Sequence, residues 1–518
     1  MDLTCSFENR SIGRQATPAA VRWLLPDLAG ILSILTVFLC LFFFDGTQKL
    51  FRDSDTGWHI RTGDAILAGG GLPRTDPYSL LRNGQPWLAW EWGSDLLMGA
   101  VHRADGMSGV ALLYAVAIGL CTWIWLQIHW AASGNFLIAG AMTTLLLSTA
   151  NLHWLARPHV FGWLFVLCAL WYAESLSERP RLLLAALFSA AWANMHASFF
   201  LGPAIALVYC VSHLMRPLIW RLNDEMEWRK ARTFAALAAA SLIGSFANPY
   251  GWNLHWHVIS YLRDTELISH IGEFQGFNFH AEGSTQILLC LGIAALGGVL
   301  ALGQRNLAHF FLAIIFLALA LRSARALPLA ALLLLPLANG AITLALSEVE
   351  GLQYSLQGAL TSFLRYSNNL RTIDAGMRGY AMVPIAMLIA FAALHAAGIQ
   401  ARTGFPPDEF PVEAASQIDK LPTSARILAP DKFGGYLIYR FNGSRRVFFD
   451  GRSDFYGGTY MNDYIQLIEV RPGWQQLLDR AQFTHALLPN RYSLIPALRQ
   501  IGWKQIYADG TATLLEKR

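Results

Sequence analysis

An apolar stretch long enough to cross a membrane, "LAGILSILTVFLCLFFFDG", is followed after the short link "TQKL" by "FRDSDTGWHIRTGDAILAGG", with its three aspartates, one histidine and two arginines. Asp53 and Asp55 stand two residues apart. Paired carboxylates suit a hard divalent cation, which takes oxygen ligands; one carboxylate alone can accept a proton. Asp55 or Thr56 is a good N-cap, and "GWHIRTGDAILA" reads as a helix that "GGG" ends. With Asp55 as cap, His59 lies four residues on, on the same helical face. The positive end of the helix dipole favours ionised Asp53 and Asp55. The plainer reading is a cap followed by a solvated loop. The placement at a membrane boundary weighs against it.

Other chemistry-bearing residues recur at similar boundaries. In "GGGLPRTDPYSLLRNGQPWLAWEWGSDLLMGAV", Asp76-Pro77 starts a turn and Trp87, Trp90 and Trp92 bracket Glu91. Tryptophans belong at headgroup depth, but an acid among them needs a partner, a metal or a raised pKa. "NLHWLARPHVFGW" carries His153, Arg157 and His159; "WANMHASF" carries Asn194 and His196; "NPYGWNLHWH" carries Asn248, Tyr250, His255 and His257. Each histidine alone reads as an ordinary hydrogen-bonded residue. Together they suggest a shared face, since polar groups near membrane depth tend to line sites or pathways. Arg322 and Arg325, in "LRSARAL", suit a phosphate or pyrophosphate, or simply a solvated loop. "DGRSDFYGGTY", with Asp450, Arg452 and Asp454, reads as a turn or as the end of a strand carrying a site.

The elements that must position these residues follow from composition. Of the 518 residues 54% are hydrophobic and 14% charged, with 18 Trp and 30 Phe; a soluble domain carries about 25% charged residues. The spacing predicts an α-helical polytopic membrane protein of about eleven spans, near 26–46, 107–129, 134–151, 158–176, 181–196, 198–215, 233–248, 286–303, 307–321, 326–346 and 379–398. The stretch 181–215 reads as one hairpin or two tight spans. No small-residue cleavage site follows the first apolar run, which reads as a retained anchor. Arginines place the N-terminus and the loops holding Arg10, Arg14, Arg22, Arg179, Arg181, Arg216, Arg221, Arg305, Arg365 and Arg371 inside. The first loop (47–106) and the histidine-bearing boundaries then lie outside. So does the region from 401 to 518, which reads as a C-terminal α/β soluble domain of about 110 residues. There "ARILAP", "RRVFFDGR" and "THALLP" read as strands. "KFGGYLIYRF" reads as a turn with a short helix or strand, "PGWQQLLDRA" and "YSLIPALRQI" as helices, "NGS" at Asn442 as a hairpin turn, and "WKQIYADGTATLLEK" as a closing hairpin. The six cysteines fit no zinc site or disulfide framework. No basic block points to nucleic acid, and no P-loop, zincin motif, serine elbow or dinucleotide fingerprint is present.

"DSDTGWHIRTGDAILAGGGLPRTDPYSLLRNGQPWLAWEW" resembles the first outer loop of bacterial polytopic proteins related to the GT-C glycosyltransferases, and "RPHVFGW", "WANMHASFFLG" and "ANPYGW" continue the likeness. The tail, "GGYLIYR … VFFDGRSDFYG … ALLPNRYSL", is similar to the soluble domain that ends many such chains. Asp55, His59 and Arg61 onward also look like the first-loop signature of oligosaccharyltransferase catalytic subunits. The resemblance implies a GT-C-like membrane domain (1–400) and an extracytoplasmic domain (401–518). It implies an enzyme of the bacterial inner membrane that takes a hexosyl or pentosyl group from a polyprenyl-phosphate or pyrophosphate donor to a glycan, lipid or protein acceptor. It gives Asp53 or Asp55 the role of base or ligand to a divalent metal (Mg or Mn). Glu91 is a further candidate acid or base. His59, Arg61, Arg157, His159, Asn194, His196, Arg322 and Arg325 are candidates for binding the substrate and its departing phosphate. The chain departs from the oligosaccharyltransferase pattern in lacking a WWDYG-type motif, which argues against peptide as acceptor. Two other readings stand beside this one: a transporter or flippase of lipid-linked glycans, and a non-catalytic assembly component of a cell-envelope glycan system.

Overall fold

Inside lipid no water can satisfy a backbone amide, so long apolar runs close their hydrogen bonds within helices. The computed structural model describes residues 19–176, 180–221, 224–379 and 381–518. Cys5, Arg10, Arg14 and Arg179 lie outside the described residues. Each stretch expected to span falls on a helix. Among the described residues six helices are long and apolar enough to cross a membrane: Arg22–Phe42, Trp92–Ala131, Phe136–His153, Ala197–Trp220, Ser284–Gly303 and Ala324–Ser347. His159–Glu174, Leu182–Met195, Leu307–Arg322 and Met382–Leu394 are apolar but shorter. The stretch 233–248 belongs to helix Asp224–Ser245, whose first half, "DEMEWRKAR", is polar. The ambiguous region 181–215 is two helices, because His196 adopts extended backbone between them (φ −160°, ψ 144°).

The first loop is not a loop throughout. Helix Asp55–Ala65 forms as expected. Helix Trp92–Ala131 begins well before the expected span and bends at Asp105 and Gly106, whose backbone is non-helical. The two helices cross where each has a glycine. A Cβ on Gly63 would lie 1.8 Å from the Asp95 carbonyl oxygen, and one on Gly99 would lie 2.6 Å from the Gly63 carbonyl carbon. Only bare backbone permits this approach, and it presses His59 against Asp95.

The C-terminal region carries a sheet of β1 (Ile427–Leu428), β2 (His485–Pro489), β3 (Lys504–Ala508) and β4 (Ala512–Glu516) in the order β1-β2-β4-β3. β1 and β2 run parallel; β2 pairs antiparallel with β4, and β4 with β3. The closing hairpin turns at Asp509, whose Oδ1 accepts the Thr511 and Ala512 amides. "RRVFFDGR" is not a strand of this sheet. Val447 makes one bridge to Ser79 of the first loop, while Phe448 and Phe449 are both buried in an aromatic cluster. "KFGGYLIYRF" is helix Asp431–Arg440, and Asn442 lies just past its end with positive φ rather than in a hairpin.

Two cores result. One is made by the membrane helices. The other holds the C-terminal region together with Trp58, Tyr78, Trp87 and Ala89 of the first loop. Arg452 joins the parts. It is fully buried, 2.7 Å from both Asp76 and Asp450, with its guanidinium 4.7 Å from the centre of the Trp87 ring. The Asp-Gly-Arg turn is thus a clamp between the C-terminal region and the first loop.

Candidate functional site

Asp53 precedes helix Asp55–Ala65, and its Oδ1 accepts the Asp55 amide at 2.9 Å. Asp53, not Asp55, therefore supplies the capping acceptor. Asp55 is the first helical residue, and its carboxylate points at Arg157. Pro158 fixes the start of helix His159–Glu174 and leaves Arg157 just outside it. The segment is held in place by the Ala156 amide on the Leu50 carbonyl (2.7 Å) and by the Thr56 hydroxyl on the Ala156 carbonyl (2.9 Å).

Arg157 then gathers three carboxylates. Its Nη1 lies 2.8 Å from Asp53 Oδ2 and 2.9 Å from Glu273 Oε1, and its Nη2 lies 2.9 Å from Asp55 Oδ2. Arg325 meets the other oxygen of Glu273 at 3.5 Å. The turns carrying Glu273 and Arg325 are tied by the Ser323 hydroxyl on the Glu273 carbonyl and by the Ala324 amide on the Gln275 carbonyl. Burial pushes the Asp55 carboxyl up, and Asp53 and Glu273 add to that rise, while Arg157 opposes it. One guanidinium shared among three acids does not offset both burial and mutual repulsion. Burial would raise Glu273 as well, yet Arg157 and then Arg325 pull it well below the usual carboxylate range.

A second cluster adjoins the first. His59 Nδ1 lies 2.5 Å from Asp95 Oδ1, and its Nε2 lies 3.8 Å from Glu91 Oε2. His196 approaches the other oxygen of Glu91, Nε2 to Oε1 at 3.4 Å, while its Nδ1 accepts the Ser198 amide at 3.1 Å. That amide bond assigns the ring proton to Nε2, facing Glu91. Burial, followed by the field of Arg157, keeps His59 well below the usual imidazole range. Burial pushes Glu91 up to about 7, with Arg157 and Arg325 opposing. Arg157 thus acts electrostatically on both clusters, which form one site. Segments assigned by the sequence to a single side of the membrane meet here, at one end of the helices.

No protein-family model and no curated protein sequence matches the chain. Solved structures do. The oligosaccharyltransferase of Archaeoglobus fulgidus tethered with an acceptor peptide aligns with 89% of this chain and 68% of its own length, at 12% identity and TM-score 0.50. The same enzyme in the apo form gives 10% identity and TM-score 0.53, covering 89% of this chain and 69% of that one. Archaeal AglB with an inhibitory peptide and a dolichol-phosphate gives 10% identity and TM-score 0.54 over the same shares. The fold is that of an oligosaccharyltransferase.

Within this fold the expected residues separate. Asp53, Asp55, Arg157 and Arg325 meet through Glu273, while His59, Glu91 and His196 meet beside them. His159 directs its Nε2 at the His153 carbonyl (2.9 Å). Arg61 turns away from the cluster: it donates to the Tyr439 carbonyl at 2.9 Å, pairs with Asp64 and lies over the Tyr439 ring. Asn194 accepts from the Trp92 indole (2.8 Å) and donates to the carbonyls of Ala190 and Ala247, which fixes neighbouring segments. Arg322 is exposed.

A divalent ion on Asp53 and Asp55 does not fit this donor set. Among the described residues no group of three or more His, Cys, Asp or Glu side chains is placed to hold one, and the Arg157 guanidinium fills the space between the acids. Sequence reading passed over Glu273 and Asp95. Glu273 is a lone acid in "HIGEFQG", and Asp95 lies within the apolar helix Trp92–Ala131. Neither has a local signature; each gains its role from a distant partner.

Proposed function

We propose that this chain is a membrane glycosyltransferase of GT-C type. It moves a sugar from a polyprenyl-phosphate-linked donor to a hydroxyl of a glycan, lipid or protein acceptor outside the cytoplasmic membrane of a bacterium. The observation that carries this reading is the convergence of Arg157, Asp53, Asp55, His59 and Glu91 on a fold shared with oligosaccharyltransferases. One of those structures holds an acceptor peptide and another a dolichol-phosphate.

A donor with its tail in the bilayer presents its sugar-phosphate bond at headgroup depth, where this site lies on the orientation read from the basic residues. Glu91, raised toward neutrality, takes the proton of the acceptor hydroxyl. The acceptor oxygen forms a bond to the anomeric carbon as the bond from that carbon to the phosphate oxygen breaks. The leaving polyprenyl phosphate keeps the electron pair, and Arg325 with Arg157 stabilises its charge. His59, held by Asp95, and His196 flank the Glu91 carboxyl at 3.8 Å and 3.4 Å. Asp53 and Asp55 hold Arg157 in place. The C-terminal region closes over Asp55.

The test is transfer of a labelled sugar from a synthetic polyprenyl-phosphate donor in proteoliposomes, alongside mass analysis of lipid-linked sugars in a deletion strain. The reading expects one lipid-linked sugar to accumulate when the gene is deleted. It also expects Glu91→Gln to lower transfer by roughly 10²–10⁴-fold, the usual range for losing a general base. Unchanged lipid-linked sugars together with full activity of the Glu91→Gln protein would exclude it.

A further inference from the structure

Asp53, Asp55 and Glu273 come from two segments more than two hundred residues apart in the chain, yet the fold packs their carboxylates around one point. Three acids brought together in this way repel one another, so the position demands a cation. Two kinds of cation satisfy such a demand. A divalent ion binds carboxylate oxygens at about 2.0–2.6 Å and carries two charges. A guanidinium binds through N–H donors near 2.9 Å, carries one charge and cannot be deprotonated in proteins. The structure holds the second: both terminal nitrogens of Arg157 lie at hydrogen-bond distance from the acids. The backbone at the neighbouring Ala156 is held through its amide and carbonyl, so the residue that carries the guanidinium is fixed within the fold.

We infer that Arg157 is a resident cation standing where three converging carboxylates would otherwise collect a divalent metal, so that the site is complete without one. Asp53, Asp55 and Glu273 then serve as positioning residues for a permanent positive charge. That charge does not depend on metal supply. As an account of the reaction this rests on the glycosyltransferase reading; as an account of cation binding it does not.

The experiment is a Mn²⁺ titration of the purified full-length protein in detergent, with free Mn²⁺ read by electron paramagnetic resonance. The wild type is expected to show no saturable site up to about 1 mM, the weak end of protein affinities for such ions. Arg157→Ala, which opens the space between the acids, is expected to gain one site at least ten-fold tighter than that ceiling and to lose it again when Asp53→Asn is added. A saturable site in the wild-type protein that Asp53→Asn abolishes overturns the inference, and this arm holds even where Arg157→Ala fails to fold. A folded Arg157→Ala protein that gains no site overturns it as well. Sugar transfer is then measured with and without EDTA. Undiminished transfer in EDTA supports the inference; transfer lost in EDTA and restored by Mn²⁺ overturns it. A protein that transfers no sugar but shows the expected Mn²⁺ pattern removes the glycosyltransferase reading and leaves the cation assignment standing.

Discussion

Gly451 lies directly against the carboxylate of Asp55: a Cβ at position 451 would stand 1.8 Å from Asp55 Oδ1. The C-terminal region therefore forms one wall of the site. Gly451→Ala is expected to separate that wall from helix Asp55–Ala65, since the atom it would strike belongs to a carboxylate already fixed by Arg157. Overpacking of this kind costs about 1–3 kcal/mol. The expected result is a strong loss of sugar transfer with helix content intact, read by transfer in proteoliposomes and by circular dichroism. Wild-type transfer by the variant would show that the wall is not needed.

Arg157 has 16% of its side chain exposed and Asp55 7%, so their pair is nearly buried. Removing the cation leaves three carboxylates close together in a poorly hydrated place. Arg157→Ala is expected to destabilise the protein by about 3–5 kcal/mol, the range for breaking a buried pair from one side. Asp53→Asn leaves two acids still held and is expected to cost less. Thermal unfolding in detergent at matched pH gives the order.

Glu91 provides a pH signature. Its folded carboxyl is pushed up to about 7 by burial, above the ordinary value of 4.5. Between those two values the folded chain keeps a proton that the unfolded chain has released. The stabilising contribution of this group is therefore complete below pH 4.5 and is lost as pH rises through about 7. Transfer has the opposite sign, because the base must be deprotonated: its rate rises with pH through the same region. Glu91→Gln is expected to flatten both curves. Parallel pH series of transfer rate and thermal midpoint check this, and a wild-type rate independent of pH over roughly three units, from about 5.5 to about 8.5, would remove Glu91 from the role of base.

Arg452 predicts a structural effect instead. It is fully buried between Asp76 and Asp450 and lies over Trp87. Arg452→Met strands two buried carboxylates and is expected to cost about 3–5 kcal/mol. Arg452→Lys keeps the charge but loses the paired Nε and Nη2 bonds to Asp450. Limited proteolysis is expected to release the C-terminal region from both variants sooner than from the wild type, with Arg452→Met the more sensitive.

Much of this molecule is written locally. Apolar runs become helices because lipid leaves the backbone no other partner, and the described helices fall where those runs lie. Helix Asp55–Ala65 lies where the sequence places it, although its N-cap residue is Ser54 rather than Asp55 or Thr56, and the hairpin at Asp509 follows from its Asp-Gly turn. Several side chains of the site were legible through type and position: acids and histidines at span boundaries are costly enough to need a reason. "RRVFFDGR" looks strand-like because it is rich in β-branched and aromatic residues, yet only Val447 pairs, and with Ser79 from a distant part of the chain.

What a neighbour supplies is another matter. The composition and order of residues settle that this chain carries several helices long and apolar enough to cross a membrane, with acids, histidines and arginines near their ends. Those are properties of a few consecutive residues and of their transfer energies into lipid. Only packing in three dimensions decides that Asp53, Asp55 and Glu273 share one guanidinium, that Asp95 holds His59, and that Gly451 walls in Asp55. The sum of charges around a point depends on which segments meet there. Glu273 lies more than two hundred residues from Asp53, and a lone glutamate looks the same in a loop whether or not an arginine waits for it.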